Sequence, residues 1–174
     1  MRCKNCKNTF EVTYFNQKFC KREECLTAAY EHAKKTKAKQ WNKEKKERKE
    51  KLKTRADHMN ELQKIFNKYI RLRDKEEPCI SCGKPNGGGE QAGHYRSVGG
   101  NPELRFDENN VHGQCIRCNM HLHGNLIDYR KGLIDRVGLH VVEWLELNHE
   151  PKKYTVEDIK ELKEEYRERI RGLK

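Results

Sequence analysis

This chain of 174 residues has no long apolar run. Hydrophobic residues make up 34% of it against 37% charged, and the mean hydropathy is −1.16. No stretch approaches the ~20 apolar residues of a membrane span, and the opening MRCKNCKNTF lacks the apolar segment of a secretory leader. These absences predict a cytoplasmic protein. The same scarcity argues against one large apolar core, and small domains usually need metals or disulfides as staples. Aromatic residues are few, at 8%. Tyr95, Phe106 and Tyr129 are too scattered to form the stacking platform of a single-strand or RNA-binding protein. Glycine and proline are missing altogether from residues 27–76, so nothing there compels a break in a helix.

What the chain has is cysteine and positive charge. There are eight cysteines, and the formal net charge is +11. In a reducing compartment, cysteines in C-x-x-C pairs are zinc thiolates rather than disulfides. Much of the charge sits in residues 32–55, which hold twelve Lys/Arg against three Glu, a net of +9. Lys34, Lys35, Lys37, Lys39, Lys43, Lys45, Lys46 and Arg48 lead that run. Such a patch suits a polyanion, because each neutralised phosphate releases counterions and gives sequence-independent affinity. The plainer reading is a solvated helix face, but nine net charges in one segment exceed what solubility needs.

The sequence divides into three regions of an α+β, zinc-stapled chain. Residues 1–26 form a cysteine finger. Residues 27–76 read as a long basic helical arm, one helix or two end to end. The arm's first half lacks an apolar stripe. In its second half Leu62, Ile65, Phe66, Tyr69, Ile70 and Leu72 recur at helical spacing and should dock onto the next domain. Residues 77–174 hold the second cysteine set, all twelve glycines, most of them before residue 126, and C-terminal helices. Gly138 is a helix C-cap, and Thr155 with Asp158 forms a weak capping box. The apolar positions around Val141–Leu147 serve either a dimer interface or the domain's own core.

The first cysteine quartet is Cys3-x2-Cys6, thirteen residues, then Cys20-x4-Cys25. Two thiolate pairs on short turns can converge on a tetrahedral zinc, and the intervening TFEVTYFNQKFC alternates like the hairpin of a zinc ribbon. The second quartet is Cys79-x2-Cys82, thirty-two residues, then Cys115-x2-Cys118. That interval exceeds a ribbon's needs. It holds AGHYRS, the turn GGNPE and NNVHGQC, which together predict two strands and then a helix entered at the last cysteine pair.

This stretch resembles the HNH (ββα-metal) nuclease motif. In that motif an Asn lies five residues before the third cysteine, as Asn110 does before Cys115. The final His or Asn follows the fourth cysteine, as Asn119 follows Cys118. The resemblance implies a triad of His94, Asn110 and Asn119. His94 would be the general base, since imidazole titrates near neutrality, and Asn110 would orient the His94 loop. Asn119 would offer its oxygen to a catalytic Mg²⁺ or Mn²⁺, a hard cation distinct from the two structural zincs. His123, four residues on along a helix, is the preferred second ligand. His121 is its rival, and Asp128 could complete the set. Many HNH chains carry an Asp, Glu or His directly before the base; here Gly93 stands there. His112 is a candidate phosphate contact, as are Arg96, Arg105 and Arg130.

A wider resemblance, carried by FNKYIRLRD, CISCGKP, AGHYRSVGGNPELRF, NNVHGQCIRCNMHLHGN and the N-terminal finger, is to the NinG/Rap family of phage recombination proteins. It implies an endonuclease acting on branched DNA such as Holliday junctions and D-loops, in the bacterial host cytoplasm. Homodimerisation and contacts with host or phage recombination proteins would fit that role. The alternative is a non-catalytic, double-zinc architectural DNA-binding protein.

Overall fold

The computed structural model describes residues 1–147 and 149–173. The chain forms two compact units, residues 1–53 and 54–174. The division falls inside the segment read as one arm, so each unit is built separately.

The first unit is a cysteine knuckle followed by helix α1, Glu23–Lys51. Its core is Cys3, Cys20 and Cys25, packed with Cys6, Phe10 and Phe19. The expected hairpin between Cys6 and Cys20 does not form among the described residues. The pairing is one isolated antiparallel bridge, Arg2 with Thr9, which ties the residue before Cys3 to the start of that interval. Residues Thr13–Phe19 are instead turned by Gln17, whose Oε1 accepts from the Thr13 backbone at 2.9 Å and whose Nε2 donates to the Phe19 carbonyl at 3.0 Å. Alternation over so short a loop is outweighed by closure of the cysteine site. Helix α1 buries only Cys25 among its residues and otherwise faces solvent.

The absence of Gly and Pro does not give a continuous helix. Helix α2, Arg55–Arg73, starts afresh at a complete capping box: Thr54 accepts from the Asp57 backbone, and Asp57 accepts in return from the Thr54 backbone. In the second unit, α2 and the C-terminal α5, Val156–Gly172, pack on each other. Their shared core is Leu62, Phe66, Tyr69, Ile70, Ile159, Tyr166 and Ile170, joined by Phe106, Val111 and Tyr154. Edge-on aromatic pairs knit it, Phe66 lying 5.0 Å from Tyr166 and 5.5 Å from Phe106 between ring centres. Thr155 and Asp158 complete the capping box of α5, as the sequence indicated.

Between these helices lie two short antiparallel strands, β1 Gln91–His94 and β2 Val111–Gln114, in the register Gln91 with Gln114 and His94 with Val111. A second small core is built by α3, Leu126–Val137, and α4, Leu139–Glu146, joined through Gly138 at φ 87°. It buries Ile80, Leu104, Tyr129, Leu133, Val142 and Leu145. Val142 and Leu145 are therefore this unit's own core, while Trp144 and Leu147 are exposed. Gly132 on α3 is where the helix meets the cysteine loop: a Cβ there would lie 1.9 Å from the Ile80 carbonyl oxygen.

The helix expected from the last cysteine pair onward is not continuous. Residues Arg117–His121 form one π-helical turn, and the chain then takes left-handed geometry at His123 (φ 49°), Gly124 (φ 90°) and Asn125 (φ 44°) before α3 begins. A regular helix cannot pass through three such residues. No described helix is long and apolar enough to cross a membrane.

Candidate metal centres and cleft

Two tetrads of sulfur dominate the chemistry. In each of the quartets Cys3–Cys6–Cys20–Cys25 and Cys79–Cys82–Cys115–Cys118, the four Sγ atoms lie within 4.8 Å of one another. The Sγ atoms of Cys6 and Cys20 are 3.7 Å apart, as are those of Cys82 and Cys115. A tetrahedral zinc with sulfur at ~2.3 Å needs a sulfur–sulfur edge of about 3.8 Å, so both clusters fit that ion and could hold one each. All eight cysteines are free of disulfides.

Backbone and side-chain N–H groups support the sulfurs. Cys20 N donates to Cys3 Sγ and Cys115 N to Cys79 Sγ, both at 3.3 Å, and Asn125 Nδ2 reaches Cys118 Sγ at 3.8 Å. Burial opposes ionisation of Cys79, but N–H groups from Cys115, Cys82 and Ser81 outweigh it and bring the thiol down to about 7. Burial, with Cys82 and Cys115 alongside, pushes Cys118 up to about 12. Four thiolates gather there only if a cation compensates them.

Beside the second tetrad lies an open cleft of about 620 Å³, and His94, Arg96, Asn101, Asn119, His123 and Gly124 are among its lining residues. Strand β1 delivers His94 at its end. The Nε2–H of His94 donates to the Arg105 carbonyl at 3.1 Å, which leaves Nδ1 as the ring's acceptor. Burial pushes this imidazole below its ordinary value of 6.5, against the pull of that hydrogen bond, so the ring is neutral at pH 7.

Asn110 is fully buried at the end of the loop that leaves His94. Its Oδ1 accepts the Arg96 N–H at 2.7 Å; its Nδ2 donates to the Arg96 and Leu104 carbonyls at 3.1 and 3.0 Å. One amide thus closes the loop of residues 96–104. Asn119 leaves the π-helical turn and donates from Nδ2 to Gln91 Oε1 at 2.5 Å. His123 reaches the cleft, though by the left-handed turn rather than by a helical step of four from Asn119.

The other sequence candidates lie elsewhere. His121 is exposed at the end of the π-helical turn and does not line the cleft. Asp128 sits in the first turn of α3, bonded to Asn125 and Lys131, and faces a different hollow. His112 is buried, so it is no phosphate contact. Arg73 donates to its Nδ1 at 3.1 Å, and its Nε2–H donates to the Asn109 carbonyl at 3.1 Å. It belongs to a buttress with Asp74, which accepts from Arg73 Nε at 2.6 Å and Gly113 N at 2.7 Å. Burial, reinforced by the Arg73 charge, holds His112 down at about 4.

Of the three arginines, Arg96 lines the cleft, and its Nε is buried without a protein hydrogen-bond partner. Arg105 is engaged by Gln63 at 2.6 Å and lies over the Phe106 ring; Arg130 pairs with Glu146 at 2.7 Å. In the first unit, Lys34, Lys37 and Trp41 line a shallow apolar hollow on α1, and the Arg48 guanidinium lies 5.0 Å from the Trp41 ring centre. The Arg73–Asp74 buttress and the role of Gln114 were not apparent from sequence, because they depend on groups 39 and 33 residues apart in the chain.

Known proteins similar to this chain match it along nearly its whole length. The proteins named Protein ninG from Escherichia phage 933W, Salmonella phage P22 and Escherichia phage lambda are each 37% identical to it, over 187, 189 and 189 residues. In each case the match covers 99% of this chain and 93% of the relative. No solved structure matches this chain. The family described as Bacteriophage Lambda NinG protein matches residues 1–174, and the chain belongs to the NinG family.

Proposed function

We propose that this protein is an HNH-type endodeoxyribonuclease that cuts branched DNA during phage recombination. The observation that carries the reading is the cleft itself. It gathers His94, Asn119 and His123 with Arg96, whose Nε–H has no protein acceptor. A purely architectural zinc finger has no use for that set.

The residues divide the work of phosphodiester hydrolysis. His94 is neutral at pH 7, with Nε2–H committed to Arg105, and so offers Nδ1 to take a proton from water. Asn110 holds the loop that follows His94 and so fixes the base against the cleft wall. Arg96 lines the cleft, and its guanidinium offers planar N–H donors to a phosphate oxygen. Asn119 Oδ1 and His123 supply an oxygen and a nitrogen suited to Mg²⁺ or Mn²⁺. When bound, that cation would stabilise charge on the phosphate and the leaving oxygen. The basic face of α1 contributes affinity for the phosphate backbone without sequence preference. The preference for Holliday junctions and D-loops rests on the family resemblance.

The test is cleavage of a labelled four-way junction, a D-loop and a linear duplex with Mg²⁺ or Mn²⁺, comparing wild type with His94→Ala. The expected result is cutting of the branched substrates and a loss of about 10²–10⁴-fold in the variant. Equal activity would remove His94 from the reaction. Tight binding with no cleavage under either metal would favour the architectural role.

A further inference from the structure

Gln114 ends β2 immediately before Cys115 and is fully buried. Its Nε2 donates to the Gly124 carbonyl and to Ser81 Oγ, each at 2.7 Å. Because a carbonyl can only accept, those bonds fix the amide and turn Oε1 the other way. Oε1 is buried and has no hydrogen-bond partner. Natural proteins rarely leave such an oxygen without a donor or a cation, since its desolvation costs roughly 1–3 kcal/mol.

The oxygen is turned toward Gly93. A Cβ built there would lie 1.9 Å from Gln114 Oε1 and 3.2 Å from Asn119 Oδ1. Two amide oxygens from different elements therefore flank one point beside a residue with no side chain. The strand register explains why: Gln114 faces Gln91 across the ladder, two positions from Gly93 on the same face of the pair. A side chain at 93 and the Gln114 amide cannot occupy that space together.

We infer that Gln114 Oε1, together with Asn119 Oδ1, ligates a hard divalent cation beside Gly93, supplying the oxygen that position 93 lacks. The use made of this cation rests on the nuclease reading; the ligand assignment rests on the buried oxygen. A neutral amide in place of a carboxylate gives a weaker site, because cation affinity follows ligand charge. Gln114 also spans from the cysteine loop at Ser81 to the turn at Gly124, so the same side chain would couple the Cys79–Cys82–Cys115–Cys118 tetrad to the cation.

The experiment is a Mn²⁺ titration of the zinc-loaded full chain, read by loss of the free-ion paramagnetic resonance signal. Zinc content and thermal unfolding serve as controls. Gln114→Met keeps the volume and removes the oxygen; it is expected to weaken Mn²⁺ binding tenfold or more. The double variant Gly93→Asp/Gln114→Ala returns an oxygen from the other side and is expected to recover wild-type affinity or better. A merely structural glutamine would give no recovery. Gln114→Glu, with added charge, is expected to tighten binding and stands in if Gln114→Met fails to load zinc. Mn²⁺ affinity unchanged in Gln114→Met overturns the assignment even if the wild type cuts DNA, and so does a wild type that binds no Mn²⁺. Mn²⁺ binding that depends on Gln114 but brings no cleavage sustains the ligand and sinks the nuclease reading.

Discussion

The Oδ1 atom of Asn110 accepts the backbone N–H of Arg96 at 2.7 Å while its Nδ2 holds the Arg96 and Leu104 carbonyls. One buried side chain thus satisfies three backbone groups of the loop beside His94. Asn110→Ala leaves all three without partners, and each orphaned group costs roughly 1–3 kcal/mol. The expected result is a loss of about 3 kcal/mol or more in urea unfolding, with faster amide exchange in residues 96–104. Asn110→Asp keeps the acceptor but buries a charge and loses the donors, so it should be no better.

Each cysteine tetrad supports its own unit, so the two should fail separately. Cys115→Ser is expected to lower zinc content from two ions per chain to one and to unfold residues 54–174, because metal-binding energy is folding energy in such sites. Cys3→Ser should remove the other ion and leave the near-ultraviolet signal of the Phe66, Phe106 and Tyr166 cluster intact. Zinc analysis alongside circular dichroism checks both.

His112 gives the second unit a defined sensitivity to acid. Its folded value, about 4, lies below the ordinary 6.5. The folded protein therefore binds fewer protons than the unfolded chain between those values. This contribution to stability is full above about pH 6.5 and falls away as pH drops toward about 4. His112→Asn should show a shallower decline across that window. Thermal midpoints from pH 7 to 4 at fixed zinc measure it.

The basic run on α1 should bind DNA as a polyelectrolyte. Replacing Lys34, Lys37, Lys45 and Arg48 by Gln is expected to weaken binding to any duplex about equally. The slope of log affinity against log salt should fall by about 1 for each phosphate that is no longer neutralised. Zinc content should not change. Fluorescence anisotropy with two unrelated duplexes at several salt concentrations decides this, and a slope equal to wild type would make the run a solvated face only.

Both cysteine tetrads are legible because zinc demands short, fixed ligand spacing, which sequence displays directly. Asn110 and Asn119 stand out by their offsets from Cys115 and Cys118. The break before α2 is legible in principle, since T-R-A-D at 54–57 is a capping box; the uniformly helix-forming composition around it obscures the signal. A regular helix through His123 fails because Gly124 and Asn125 turn the backbone left-handed, a local signal that outweighs periodicity. Gln114 cannot be read from sequence at all. Its meaning comes from what it does not touch, and that is a property of the folded interior.

Helix α1 runs for 29 residues and hides one of them, Cys25, from water. Melting the rest of it would expose almost no new oily surface, so its helix–coil transition should carry little heat-capacity change. Its persistence is governed by backbone propensity and by mutual repulsion among its cations, which ions in solution relieve. Helix α1 is in effect a charge-regulated rod, stiffer the more its charge is neutralised.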